Sequence, residues 1–261
     1  MELYVYGNTR QLVGVVESFE YLRWTRRYSQ YGAFELKAIA TPDNIALLTL
    51  GYLLWKSDDE EVGVIEHLVM NQADKETITV SGRFATSLLA RRIIWGTETL
   101  SGDLSACALQ LINNHLITPS DTNRQIAGVA FASPALGVIV NTQVSYKNLM
   151  DTITGLCDAS DRGIKTVFDP STGTLTVALY VGVASQAVFS CEYVNLTSQI
   201  YPQSAMDYAN AALIGGEGEG ALRILASIAD SVGEARREVF VDAKDLRQED
   251  FGAGYPAALL Y

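Results

Sequence analysis

The chain has 261 residues, 48% of them hydrophobic and 19% charged, enough to bury more than one core and to form one large domain or two to three small ones. Its 30 acidic residues against 19 basic ones give a formal net charge of −11, which disfavours a nucleic-acid grip built on clustered Lys and Arg while leaving open a surface past which DNA slides. No apolar run approaches the roughly 18 residues of a membrane helix, and the opening MELYVYG has neither a basic leader nor a cleavage site, so no membrane insertion and a cytoplasmic place of synthesis are expected.

From Met1 to about Thr41 the pattern is that of β structure: LYVYG, LVGVVESFEYLRWTRRY, a turn near Gly32, and AFELKAIA. Phe19, Tyr21, Phe34 and Leu36 alternate with polar neighbours, which predicts a long antiparallel hairpin with one buried face. Thr41, Pro42 and Asp43 then open a short helix, because Thr caps, Pro suits the first turn and Asp complements the positive end of the helix dipole. GYLLWKS and EVGVIEHLVMNQ form a strand pair hinged at Asp58 to Glu61, and TITVSGR completes a β unit.

Past Gly82 the period changes. Helices are predicted over FATSLLARRII, from about Leu104 to Leu116, and from about Tyr146 to Ala159, the second with Leu104, Ala108, Leu111, Ile112 and Leu116 on one face. KTVFD and TLTVALYV, joined by PSTG, read as a hairpin. From about Val188 the pattern returns to β through AVFSCEYVNLTSQIYPQ, a turn near Ser204, YANAALIGG and REVFVDA, while KDLRQED suggests a helix start. The two β regions share an order of features at low identity, a weak sign of duplication. The expected architecture is mainly β with an α+β insert: a first β-barrel-like tube domain over 1–92, the insert over 93–186, and a related second tube domain over 187–261.

None of the chemical constellations points to catalysis or to a cofactor. His67 and His115 lie in different predicted domains without a second ligand at metal-site spacing, and Glu66-His67 sits in a predicted strand with no following histidine. Cys107, Cys157 and Cys191 are odd in number, far apart and without CxxC spacing. Gly215, Gly216, Gly218 and Gly220 resemble a phosphate loop only superficially, since Glu217 and Glu219 would repel the anion. Asp58, Asp59, Glu60 and Glu61 read as a solvated polar turn, a poor setting for the raised pKa a general acid needs. Trp24, Arg26, Tyr28 and Tyr31 mix aromatics with cations on the long hairpin. That chemistry suits stacking on sugar rings or nucleobases or the anchors of a protein interface, and the hairpin position favours the interface.

Read in order, RWTRRYSQYGAFEL, PDNIALLTLG, VGVIEHL with ITVSGRFATSLLARRI, FSCEYVNL, ALIGGEGEG and the run Arg236 to Ala243 resemble the siphophage tail-tip or baseplate hub proteins, a family that also forms the amino-terminal portion of some tail-associated lysins. The resemblance implies a homotrimer whose two tube domains per chain make a pseudo-sixfold ring at the virion tail tip. That ring would lie under the tail tube, stay closed until infection and then pass DNA. Its implied partners are further copies of itself, the tail tube and distal tail proteins, the tape-measure protein and downstream tip, fibre or lysin components, with DNA only in transit. The family continues with more β structure after Ala243, whereas this sequence stops at Tyr261, so the expected second barrel is incomplete: either the chain is a shortened member or the remainder lies outside this sequence. Cell-wall cleavage and glycan binding are the competing functions.

Overall fold

Alternating apolar and polar residues build the first 84 positions into one antiparallel sheet. The strands are β1 (Leu3–Tyr6), β2 (Leu12–Val16), β3 (Tyr21–Thr25), β4 (Ala33–Ile39), β5 (Leu53–Lys56), β6 (Val62–Gln72) and β7 (Glu76–Phe84), with a short helix α1 (Pro42–Leu47) between β4 and β5. The computed structural model describes residues 1–72, 76–193, 195–196, 198–244 and 248. The sheet runs β2-β1-β5-β6-β7-β4-β3 with every neighbour antiparallel, which leaves β2 and β3 as edges. In β4, Phe34, Leu36 and Ala38 are buried in alternation and join Leu3, Val5, Leu54, Ile65, Ile78, Val80 and Phe84 in the core of one face. Burying each large member stabilises the sheet by about 1.5–3 kcal/mol. On the other face Leu53, Val62 and Val64 pack with Phe168 and Leu175.

Local chemistry sets the boundaries. The Thr41 side chain accepts from the Asn44 amide at 3.2 Å and caps α1, with Pro42 in the first turn. The β6–β7 register shifts between Ile65 and His67, a bulge at Glu66. Opposite the bulge stands Gly82, where a Cβ would drive into the Val64 carbonyl and crowd the Glu66 amide, so glycine is required by the close approach of two backbones.

The chain then enters a 3-10 helix over Ala85–Arg91 and an α+β region: β8 (Thr97–Asp103), α2 (Leu104–Ile112), β9 (Val129–Phe131), β10 (Ile139–Ser145), α3 (Leu149–Ser160), β11 (Gly163–Asp169) and β12 (Thr174–Tyr180). α2 ends in a π-turn over Asn113–Ile117. Asp103 caps α2 through the Ser105 amide at 2.9 Å, and Asn148 caps α3 through the Met150 amide at 2.9 Å. β8 pairs with β10, and β11-β12-β9 form a three-stranded sheet in which β9 is parallel to β12. Leu104, Ala108, Leu111, Ile112 and Leu116 pack with Leu149, Ile153, Cys157, Ile164 and Val177 in the core of this region. Everything to this point lies in one compact unit, Met1–Ser185.

The second unit is Gln186–Tyr261. Its three strands, β13 (Ala211–Gly215), β14 (Leu225–Ala229) and β15 (Glu238–Asp242), run β14-β13-β15, with β14 antiparallel and β15 parallel to β13.

Most expected elements appear, and the differences have physical causes. The stretch LVGVVESFEYLRWTRRY splits into β2 and β3, and the inward residues of β3 are Leu22 and Trp24 while Tyr21 faces out, one residue out of phase with the expected alternation. FATSLLARRII winds as a 3-10 helix. Over 188–203 no strand forms among the described residues; instead the Asn195 side chain accepts from the Ser190 amide and donates to the Val188 carbonyl, local bonds that compete with a ladder. KDLRQED falls almost wholly outside the described residues.

Candidate subunit-interface site

Trp24, Arg26, Tyr28 and Tyr31, the residues singled out from the sequence, lie on β3 and the loop between β3 and β4, and the fold places all four along a seam between the seven-stranded sheet and the α+β region. Trp24 packs against Phe34 and Phe84 at ring-centroid distances of 5.7 and 4.6 Å and donates from Nε1 to Asp59 Oδ2 at 3.1 Å. Asp59 Oδ1 accepts from the Glu61 amide at 2.9 Å, and the Asp59 carbonyl accepts from Trp55 Nε1 at 2.8 Å, so two indoles brace one turn. Arg26 forks onto that turn, Nε to Glu61 Oε2 at 3.1 Å and Nη2 to Glu60 Oε1 at 2.9 Å. Lys165 of β11 reaches Glu60 Oε1 at 2.8 Å, and the Phe168 amide donates to the Glu60 carbonyl at 2.8 Å, tying the turn to the second sheet.

Tyr28 and Tyr31 close the other end. The Tyr28 ring meets Tyr180 edge-on at 5.5 Å; its hydroxyl donates to the Asp161 carbonyl at 3.0 Å and accepts from the Gly182 amide at 2.9 Å, while its carbonyl accepts from the Ile164 amide. Tyr31 lies under the Arg83 guanidinium at 5.3 Å, and Arg83 is bidentate to the bulge residue Glu66 at 2.6 and 2.8 Å. Arg91 adds a third contact to Glu66 at 3.0 Å.

The electrostatics depart from the sequence expectation at one place. The sequence predicts a solvated turn over Asp58 to Glu61, but the Glu61 side chain is only 5% exposed. Burial pushes its carboxyl up to about 7, against the pull of Arg26 and with help from Asp59 and Glu60. Glu60, held by Lys165 and Arg26, is lowered instead. Nothing in the local sequence signals this, because the partners that bury Glu61 come from 35 residues before it and from the isolated bridge to Val167. Of the histidines, His67 is exposed on β6, and His115 is buried in the π-turn with its Nε2 3.1 Å from Glu98 Oε1. Burial lowers the His115 pKa, only partly offset by Glu98. Gly218 and Gly220 are exposed at the β13–β14 turn, beside Glu217 and Glu219, as an exposed turn requires.

The fold is similar to that of the prophage MuSo2 43 kDa tail protein from Shewanella oneidensis, at 14% identity and TM-score 0.58 over 98% of this chain and 76% of that one. The prophage tail protein gp18 from Listeria monocytogenes EGD-e is similar at 11% identity and TM-score 0.57 over 94% and 73%. The tail protein from Neisseria meningitidis MC58 is similar at 15% identity and TM-score 0.54 over 99% and 73%. None of the curated proteins matches. A family model described as Siphovirus ReqiPepy6 Gp37-like protein matches residues 2–259. With that match spanning nearly every residue, the chain belongs to the Siphovirus ReqiPepy6 Gp37-like family, and its mainly β fold is similar to that of prophage tail proteins.

Proposed function

We propose that the chain is a structural subunit of the tail-tip hub, three copies closing a ring that joins the tail tube to the tip and lets DNA pass on infection. The observation that carries this reading is the open seven-stranded sheet. Both of its edges present unpaired backbone, and an edge of this kind is satisfied when another strand lies beside it. In this reading residues 1–92 and 187–261 supply two wall segments per chain and 93–186 decorates the outside. The ring sits at the tip of the virion tail after synthesis in the host cytoplasm. Its neighbours are the tube and distal tail proteins, the tape-measure protein and the downstream tip components. The acidic balance of the chain suits a lumen that DNA slides through without adhering.

The joint between copies runs along the β3 edge. Trp24 and Tyr31 support that edge from behind, and Arg26 and Tyr28 are the outermost of the four interface residues. The test is the mass of the purified protein by light scattering, expected at three times the 28.4 kDa chain, with a pseudo-sixfold ring by electron microscopy. Arg23, exposed on β3, is the residue to reverse. Arg23→Glu should release single chains while changing stability by no more than about 0.5 kcal/mol. A wild-type protein that stays at the mass of one chain at high concentration would overturn the ring. Turbidity of bacterial walls should be unchanged by the protein; reproducible clearing abolished by a single acidic substitution would favour a cell-wall hydrolase instead.

A further inference from the structure

The β1–β2 turn carries the one arginine among the described residues with a left-handed backbone, Arg10 at φ 58°. Its side chain reaches between two loops of the α+β region, where Nη1 donates to the Gly128 carbonyl at 2.5 Å and the Gly173 carbonyl at 3.3 Å. A Cβ at Gly128 would stand 2.5 Å from that nitrogen, so the loop is shaped around the guanidinium. Among the described residues Arg10 has no carboxylate partner. Asp169, four positions before Gly173, is taken up by Ser171 and Thr172 of its own turn.

Arg10 borders a cleft of about 480 Å³ together with Asn8, Gln125 and Thr172. A smaller cavity of about 120 Å³ shares Asn8, Arg10 and Ile126 with it and is also lined by Arg91. Arg91, Arg92 and Arg124 lie within electrostatic reach of one another, and burial together with that mutual repulsion lowers the pKa of Arg92. Arg92 and Arg124 donate to the carbonyls of Arg124 and Ile93 rather than to carboxylates. Glu66 accepts from Arg91 but is held bidentately by Arg83. In a chain of net charge −11, the charged residues that line these two cavities, Arg10 and Arg91, are both cations. A guanidinium whose remaining donors are unused offers the planar fork that suits an oxyanion.

We infer that the cleft lined by Arg10, Asn8, Gln125 and Thr172 is a binding site for a phosphate group, taken either from free phosphate or from a phosphodiester. Arg10 supplies the charge-assisted bonds, and the side-chain amide of Asn8 supplies a polar contact at the mouth.

The experiment is a titration of the full chain with inorganic phosphate at constant ionic strength set by chloride, read by calorimetry and by the rise in melting temperature. Saturable binding that chloride does not reproduce is the expected result. Asn8→Asp leaves the bonds of Arg10 to Gly128 and Gly173 in place but puts a carboxylate at the mouth, and it should weaken phosphate roughly tenfold. Arg10→Lys keeps the charge, loses the fork and should weaken it as well. A parallel titration with a glycerol phosphodiester separates the sources: binding equal to that of phosphate assigns a polymer-type diester, and binding by phosphate alone assigns the free ion. Absence of phosphate-specific binding, or equal affinity in wild type and a folded Asn8→Asp variant, overturns the site.

Discussion

At Glu61 two forces oppose each other, the cost of removing a carboxylate from water and the attraction of Arg26, and the balance is set by burial. Because the native value of about 7 lies above the usual 4.5, the folded protein holds a proton that the unfolded chain has already released between those values. The contribution of this group to stability is therefore complete below about pH 4.5 and is lost as pH rises through 7, by on the order of 2–3 kcal/mol. Glu61→Gln keeps an acceptor for Arg26 and should flatten that dependence; urea unfolding at pH 5 and pH 8 measures it, and equal slopes in both proteins would remove Glu61 as the cause. Trp24 belongs to the same seam. Its contacts with Phe34, Phe84 and Asp59 mean that Trp24→Ala should cost about 3 kcal/mol or more in denaturation experiments, a loss within the chain that precedes any effect on assembly. The sequence showed these side chains as a group but not their partners. An acidic run between strands has the composition of a solvated turn, and only contacts from Arg26, 35 residues before Glu61, and Lys165, 105 residues after Glu60, distinguish Glu60 and Glu61 from Asp58.

Whole elements were legible where the local signal and the tertiary partner lie close in sequence. Thr41 and Pro42 announced α1, and the β5–β6 and β11–β12 pairs follow from short turns between apolar runs. β8 and β10, with sequences TETLSGD and IVNTQVS, carry little apolar alternation and escaped notice; they pair with each other across more than 30 residues. The stretch 188–203 shows the opposite failure, since its aromatic and β-branched residues suit a strand but a ladder needs a neighbour to pair with. Two substitutions test the elements that did form. Asn148→Ala removes the α3 cap and its bond from Nδ2 to the Ala90 carbonyl, and should cost about 1–2 kcal/mol by thermal or chemical denaturation. Gly82→Ala places a methyl group against the β6 backbone and should cost about 3 kcal/mol or more, with loss of soluble protein as the simplest readout; a stable, soluble variant would show that the Glu66 bulge can relax.

For the molecule as a whole, the first unit has its own sheets and cores within Met1–Ser185, so a chain ending at 185 should unfold cooperatively with near-UV ellipticity intact; a molten spectrum would show that Gln186 onward is needed for packing. The cysteines divide along the same line. Cys107 and Cys157 are buried in the core of the α+β region, with the Cys157 thiol pushed up to about 12 by burial, whereas Cys191 is exposed in the second unit. Thiol-specific alkylation of the native protein should then proceed in two phases, one equivalent at once and two only as fast as the α+β core opens. The slow phase makes the protein its own clock: followed by mass spectrometry, it reports how often that core opens where no denaturant can be added, and so whether the proposed assembly tightens or loosens it.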